Sequence, residues 1–124
     1  MERSTLRRWL PALALALVLL VTSLVPLPQN GGEVPALLGV ALDKWVHAAG
    51  YGAFTVALAS GRRAGTRGTV AVLVAVAIAY GAGIEALQGL LASRSTSGAD
   101  VLANGVGAVV AGVGWHWSRG SNRD

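Results

Sequence analysis

Residues 69–91 read TVAVLVAVAIAYGAGIEALQGLL, an apolar run with a single charged side chain, Glu85. The run falls within the roughly 17–25 residues that an α-helix needs to cross the hydrocarbon core of a bilayer. It lacks the apolar and polar alternation of strands in a membrane β-barrel. The stretch therefore predicts a membrane-spanning helix that carries a carboxylate.

Three further apolar stretches occupy 9–25, 42–60 and 99–117. Because only helices or closed barrels satisfy the backbone in lipid, the four stretches predict an all-α fold. We expect a four-transmembrane-helix bundle, a polytopic membrane protein with a single domain over 1–124. Segment 33–41, after the Pro- and Gly-rich exit of the first stretch, predicts a short interfacial turn of helix.

Composition agrees with a membrane protein and excludes other classes. Charged residues make up 13% of the chain, about half the share of a soluble domain. Cysteine is absent, which excludes disulfides, thiolate metal sites and cysteine nucleophiles. The net charge of +4 is not spread over a basic face interleaved with aromatic residues, so we expect no nucleic-acid partner. Membrane lipids are the expected partners, no cofactor is expected, and the oligomeric state stays open.

The first stretch follows Arg3, Arg7 and Arg8, as the core of a signal peptide would. It is longer than the usual core of about 7–15 residues and no A-x-A site follows it, so an uncleaved anchor is favoured. If the N-terminus is in the cytoplasm, Lys44 and Arg94 are the only basic residues on the outer side. The inner side then holds Arg3, Arg7, Arg8, Arg62, Arg63, Arg67, Arg119 and Arg123. The positive-inside rule thus predicts a multi-pass protein of the cell membrane with both termini cytoplasmic.

Polar residues within the predicted spans indicate a site, since a charge at mid-helix costs roughly 2.5–3.5 kcal/mol on insertion scales. All of them fall at one depth, in the outer half of the membrane. Their spacings of three and four residues place them on shared helix faces, which we expect to meet. The candidate ligand-binding residues are Asp43, Lys44, His47, Tyr51, Glu85, Gln88, Arg94, Asp100 and Asn104.

Small residues favour close packing of these helices. Asn104, Ala108 and Gly112 form a small-xxx-small row on the fourth stretch. Gly50, Gly81 and Gly83 predict further close approach of backbones.

The order of the polar motifs resembles the VanZ-like family. The motif residues are Asp43-Lys44, His47, Tyr51, Glu85-x-x-Gln88, Arg94, Asp100, Asn104 and Gly107. The resemblance covers the chain from the Pro-containing exit of the first span to the fourth span. It implies a small polytopic membrane protein of the cell envelope, from a family named for a member linked to resistance against the glycopeptide teicoplanin. Family members often carry an aromatic residue next to the histidine, where this chain has Ala48.

Four uses of the polar residues stay open on the sequence alone. Lys44 and Arg94 suit the phosphate of a lipid-linked envelope precursor. His47 and Glu85 are the candidates for acid–base catalysis on lipid phosphates, although no P-loop or G-x-S-x-G motif is present. Asp43, His47, Glu85 and Asp100 could supply hard metal ligands, but one histidine is no zinc signature, so no metal is expected.

The remaining use is purely structural. Asp43 and Asp100 are also candidates for helix capping, the latter through a capping box with Ser97. A polar network that only fixes the register of the helices would use the same residues.

Overall fold

Four α-helices make up nearly all of the chain that the computed structural model describes, which is residues 3–24, 36–90 and 98–121. They are α1 (Arg3–Leu24), α2 (Leu42–Arg62), α3 (Arg67–Leu90) and α4 (Gly98–Ser121). Each overlaps one of the four predicted stretches, so the all-α prediction is confirmed.

A short hairpin precedes α2. Its strands, β1 (Ala36–Leu37) and β2 (Val40–Ala41), pair antiparallel. Leu38 and Gly39 connect them with φ angles of 54° and 77°, and two left-handed residues of this kind suit a type I′ turn. Trp45 of α2 donates its indole N–H to the Leu37 carbonyl at 3.1 Å, which ties the hairpin to the helix. The turn of helix expected over 33–41 is therefore wrong for 36–41, and 33–35 lie outside the described residues.

Backbone and side-chain caps define the turn between α2 and α3. The Ala64 N–H bonds to the Ala59 carbonyl at 2.9 Å, and the Arg63 N–H bonds to the Ser60 carbonyl at 3.2 Å. This is the Schellman pattern at a helix C-terminus, with Arg63 at the position that glycine usually occupies. Thr66 then caps α3, because its hydroxyl accepts the Thr69 N–H at 3.2 Å.

Helix α2 lies at the centre, in contact with α1, α3 and α4. Its start lies beside the start of α4, where Lys44 meets Asp100. Its other end packs on the start of α1. The Trp9 ring lies so near Gly61 that a Cβ added to this glycine would be 2.8 Å from the ring. Successive helices thus run in opposite directions, and α1 and α3 end where α2 and α4 begin.

The outer surface of the helices is strongly apolar. Exposed fractions reach 61% for Leu17, 61% for Val72 and 65% for Val110. Contiguous apolar surface of this kind marks contact with lipid or another apolar partner. Helices α1, α3 and α4 are long and apolar enough to cross a membrane, and α2 is not among them. In keeping with its central position, α2 buries the polar side chains of Tyr51 and Thr55.

Three close approaches hold the helices together. A Cβ on Gly107 of α4 would overlap the Ala48 carbonyl oxygen of α2, so these backbones touch. A Cβ on Gly112 would overlap the side chain of Val74 of α3. Such glycine contacts are typical of membrane helix interfaces. Gly81 of α3 also packs closely, on the Tyr51 ring of α2. A Cβ on Gly83 would meet nothing within 4 Å, so the prediction of close packing at Gly83 is wrong.

Candidate functional site

An ion pair joins α2 to α4 where both helices begin. The Lys44 ammonium donates to the Asp100 carboxylate and also to Asp43, at 3.1 Å. The Lys44 and Asp100 side chains keep 24% and 23% of their surfaces exposed, and Asp43 keeps 51%. An ammonium carries three N–H donors. Lys44 therefore uses two of them in these contacts and is reachable from outside.

Two buried polar side chains lie deeper, where three helices meet. Tyr51 of α2 is 1% exposed and Asn104 of α4 is 6% exposed. Both pack on Gly81 of α3: a Cβ there would lie 2.9 Å from the Tyr51 ring and 3.2 Å from the Asn104 amide nitrogen. Glycine at this position makes the room that the two polar side chains occupy.

The carbonyl oxygen of the Asn104 side chain is buried and accepts no hydrogen bond from any residue that the structure describes. A buried acceptor without a donor costs free energy, of order 1–3 kcal/mol in proteins. Native proteins retain such groups where a ligand, a water molecule or a function uses them. Together with Arg8 Nε at the opposite end, the Asn104 carbonyl is one of two such buried side-chain groups in the described part of the chain, and it is the one that belongs to a predicted site residue.

Glu85 of α3 belongs to the same region. It is 8% exposed, and its carboxylate lies close enough to Tyr51 for the two groups to interact electrostatically. Both Glu85 and Asp100 have interaction partners, so neither carboxylate is isolated. At this end of the molecule, carboxylates thus come from α2, α3 and α4, whereas Lys44 is the one lysine or arginine among the described residues there.

His47 is half-buried on α2, one turn beyond Asp43. The next residue, Ala48, gives its carbonyl to the contact with Gly107. Its small side chain suits this direct contact between α2 and α4.

Two predicted residues stand apart from the cluster. Gln88 donates its amide to the Ser23 carbonyl of α1 at 2.5 Å, so it joins α3 to α1. Arg94 lies outside the described residues, as does Ser97, the predicted partner of Asp100 in a capping box. Asp100 lies in the first turn of α4 and Asp43 in the first turn of α2, where carboxylates also favour the helix dipole.

No group of three or more histidine, cysteine or carboxylate side chains is arranged to hold a metal within the described segments. The hypothesis of a metal on Asp43, His47, Glu85 and Asp100 therefore gains no support from the structure. The acid–base hypothesis on His47 and Glu85 stays a prediction; His47 is half-buried and Glu85 is buried.

The opposite end of the molecule is basic. Every described arginine lies there, at the start of α1, between α2 and α3, or at the end of α4. The Trp115 indole N–H donates to the Ala64 carbonyl at 2.9 Å, which fixes the end of α4 to the turn after α2. Arg119 stacks over the Trp115 ring at 5.1 Å. The two ends thus differ in charge as the sequence predicts, with Lys44 alone among described cations at the acidic end.

Sequence reasoning missed the contacts that fix α1. The Tyr80 hydroxyl of α3 donates to the Ala16 carbonyl of α1 at 2.5 Å. The Tyr80 ring also packs on Phe54 of α2, with ring centroids 5.2 Å apart. A tyrosine inside a lipid-facing stretch signals that its hydroxyl needs a partner, but no spacing rule indicates that the partner is a backbone carbonyl of α1.

The chain was compared with protein-family models, curated proteins and solved structures, and none of them matches it. The resemblance to the VanZ-like family accordingly stays a prediction that the motif residues carry.

Proposed function

We propose that this chain is a VanZ-like integral membrane protein of the cell envelope, whose polar site in the outer half of the bilayer binds a lipid-linked or glycopeptide-related ligand. The observation that carries the proposal is the buried Asn104 carbonyl, which has no hydrogen-bond donor among the described residues, on a side chain that packs with Tyr51 against Gly81. Above it, the partly exposed Lys44–Asp100 pair gives a ligand its first polar contact.

All four helices cross the membrane in this proposal, including α2. At 1.5 Å per residue its 21 residues extend about 31 Å, close to the roughly 30 Å of the hydrocarbon core. Its polar residues are tolerated because the other helices surround it. The arginine-rich end, with both termini, lies in the cytoplasm by the positive-inside rule. The Lys44 end then faces the outer leaflet.

An anionic lipid-linked envelope precursor suits this end. Lys44 has one N–H donor left for a phosphate oxygen. Arg94, the other predicted phosphate ligand, lies outside the described residues, and an arginine can bind phosphate in a bidentate way. The apolar outer surfaces of α3 and α4 accommodate an isoprenoid tail.

Native mass spectrometry of the purified protein tests the proposal. A polyisoprenyl phosphate is compared with the polyisoprenol of the same length, and we expect the phosphate to bind at least about tenfold more tightly, since one charge-assisted hydrogen bond contributes roughly 1.5–3 kcal/mol. Lys44→Gln should remove most of this preference. Arg119→Gln, the same loss of charge at the opposite end, should leave it unchanged. Equal binding of phosphate and alcohol refutes the anionic ligand.

A cationic, amine-bearing glycopeptide is the second candidate, because described carboxylates outnumber the described cation at this end. The two ligand classes respond oppositely to charge. Asp100→Asn should weaken an amine ligand and strengthen a phosphate ligand, whereas Lys44→Gln should do the reverse. If neither substitution changes the binding of either ligand, the Lys44–Asp100 pair is structural and the proposed site is abandoned.

A further inference from the structure

A second surface, at the arginine-rich end, lies between the outer faces of α3 and α4. It is a groove of about 630 Å³. Val70 and Val74 form one wall, and Val109 and Val113 form the other. Gly112 lies against Val74 between the walls, where the two helices touch. The groove is therefore an apolar channel closed along its floor by helix packing.

Polar groups occur at one end of this groove only. Arg67 is the first residue of α3, and His116 and Trp117 lie in the last turns of α4. From Arg67 to Val74 the groove extends about 10 Å along the helix axis. Its polar mouth thus lies at the predicted membrane–water interface, and its apolar length runs into the hydrocarbon.

Charge complementarity identifies the occupant. The described residues of this end include seven arginines and no aspartate or glutamate, the arginines being Arg3, Arg7, Arg8, Arg62, Arg63, Arg67 and Arg119. The oxygens of a phosphate at the mouth would accept hydrogen bonds from the Arg67 guanidinium and from an N–H of the His116 ring. Because Arg67 begins α3, the positive end of that helix dipole favours the same anion. An apolar tail would fill the space between the valine walls.

We propose that the groove between α3 and α4 binds one molecule of an anionic phospholipid, with its phosphate at Arg67 and His116 and an acyl chain between the valines. This site lies at the opposite end from the Lys44 site and does not depend on it. Lipids with a zwitterionic headgroup of the same acyl composition bind less tightly, because their ammonium group meets the surrounding arginines.

Lipid binding to the full-length protein in detergent tests the headgroup contact. Native mass spectrometry compares phosphatidylglycerol with phosphatidylcholine of identical acyl chains. We expect Arg67→Gln to lower the affinity for phosphatidylglycerol about fivefold, which corresponds to the ~1 kcal/mol that one basic residue contributes near an anionic surface. Arg63→Gln makes the same charge change outside the groove, and we expect a smaller effect. Equal binding of the two lipids, or equal effects of the two substitutions, overturns the proposal.

A second pair of variants tests the acyl chain. Val113 and Val110 are both exposed valines of α4, at 58% and 65%, but only Val113 lines the groove. Val113→Phe should displace the lipid, whereas Val110→Phe should not. Circular dichroism and the melting temperature establish that each variant folds. If Val113→Phe fails to fold, Ala71→Phe fills the groove from α3, and retention of the lipid by that variant overturns the proposal.

Discussion

Asn104 has the most informative surroundings of any single residue. Its carbonyl oxygen is buried without a donor among the described residues. Replacing an unsatisfied polar group by an apolar group of similar shape is close to neutral for stability, or stabilising. A ligand donor that bonds to the carbonyl, in contrast, would lose its partner. The residue therefore separates a ligand site from a network that only holds the helices in register.

We predict that Asn104→Leu leaves the melting temperature in detergent unchanged or slightly higher. It should weaken several-fold the binding of a lipid-linked sugar, whose hydroxyl groups can donate to the carbonyl, since a net hydrogen bond contributes about 0.5–1.5 kcal/mol. Thermal unfolding followed by circular dichroism and native mass spectrometry measure the two quantities. A large drop in melting temperature with unchanged binding would show that Asn104 serves the fold alone.

Gly107 and Gly105 of α4 make a matched pair for testing the α2–α4 contact. A Cβ on Gly107 would overlap the Ala48 carbonyl oxygen, whereas a Cβ on Gly105 would meet nothing within 4 Å. Gly107→Ala should therefore lower the free energy of unfolding by roughly 1–3 kcal/mol, because the helices must separate. Gly105→Ala should raise it by up to about 1 kcal/mol through helix propensity. Equal effects in a denaturant titration would contradict the direct contact of backbones.

The sequence predicts which residues share a helix face, but it does not predict which neighbour that face meets. Glu85 and Gln88 are three residues apart, about 60° around a helix. That angle separates a side chain near Tyr51 from one that reaches Ser23 of α1. Gly81 and Gly83, two residues apart, lie on nearly opposite faces, which explains why only Gly81 packs closely. Single glycines in an apolar run give no signal that distinguishes such positions.

At the scale of the helices, the apolar runs predict the positions of all four, because burial in lipid requires long uninterrupted helices. The hairpin over 36–41 was not predicted. Its turn uses Leu38 with φ 54° instead of the Asn-Gly or Asp-Gly pair that marks a type I′ turn. The contact between Trp45 and the Leu37 carbonyl supports this turn from outside the hairpin. Tertiary contacts therefore override the local sequence preference in this segment.

The end of α2 offers a test at the same scale. Arg63 has φ 56° in the Schellman turn, a conformation that costs an ordinary residue about 1–2 kcal/mol. Arg63→Gly should raise the free energy of unfolding by up to about 1 kcal/mol, since the backbone freedom of glycine in the unfolded chain offsets part of the gain. Arg62→Gly removes the same charge from a helical residue and should lower it. Stabilisation by both variants would point to relief of charge repulsion and not to backbone strain.

At the scale of the whole molecule, a strongly apolar outer surface surrounds a mostly apolar core. Buried polar residues, Thr55, Glu85 and Asn104, lie inside, and large apolar side chains face outward. The charged residues separate into an arginine-rich end and an end with Lys44, Asp43 and Asp100. Such a distribution fits a bilayer, in which each end meets water and the middle meets lipid. The proposed lipid-linked ligand and the proposed phospholipid groove then belong to opposite leaflets.

This arrangement depends on whether α2 crosses the membrane. Of the four described helices, α2 alone is not among those long and apolar enough to span a membrane. The chain has no cysteine, so single cysteines can be placed without background. Leu38 is 85% exposed in the hairpin before α2, and Gly68 is exposed in the first turn of α3. A membrane-impermeant maleimide should label Leu38→Cys in intact cells, and Gly68→Cys only after the cells are permeabilised. Ser118→Cys, near the end of α4, should behave like Gly68→Cys.

Labelling of Leu38→Cys and Gly68→Cys from the same side would mean that α2 does not span the membrane. The polar site would then lose its place in the outer leaflet.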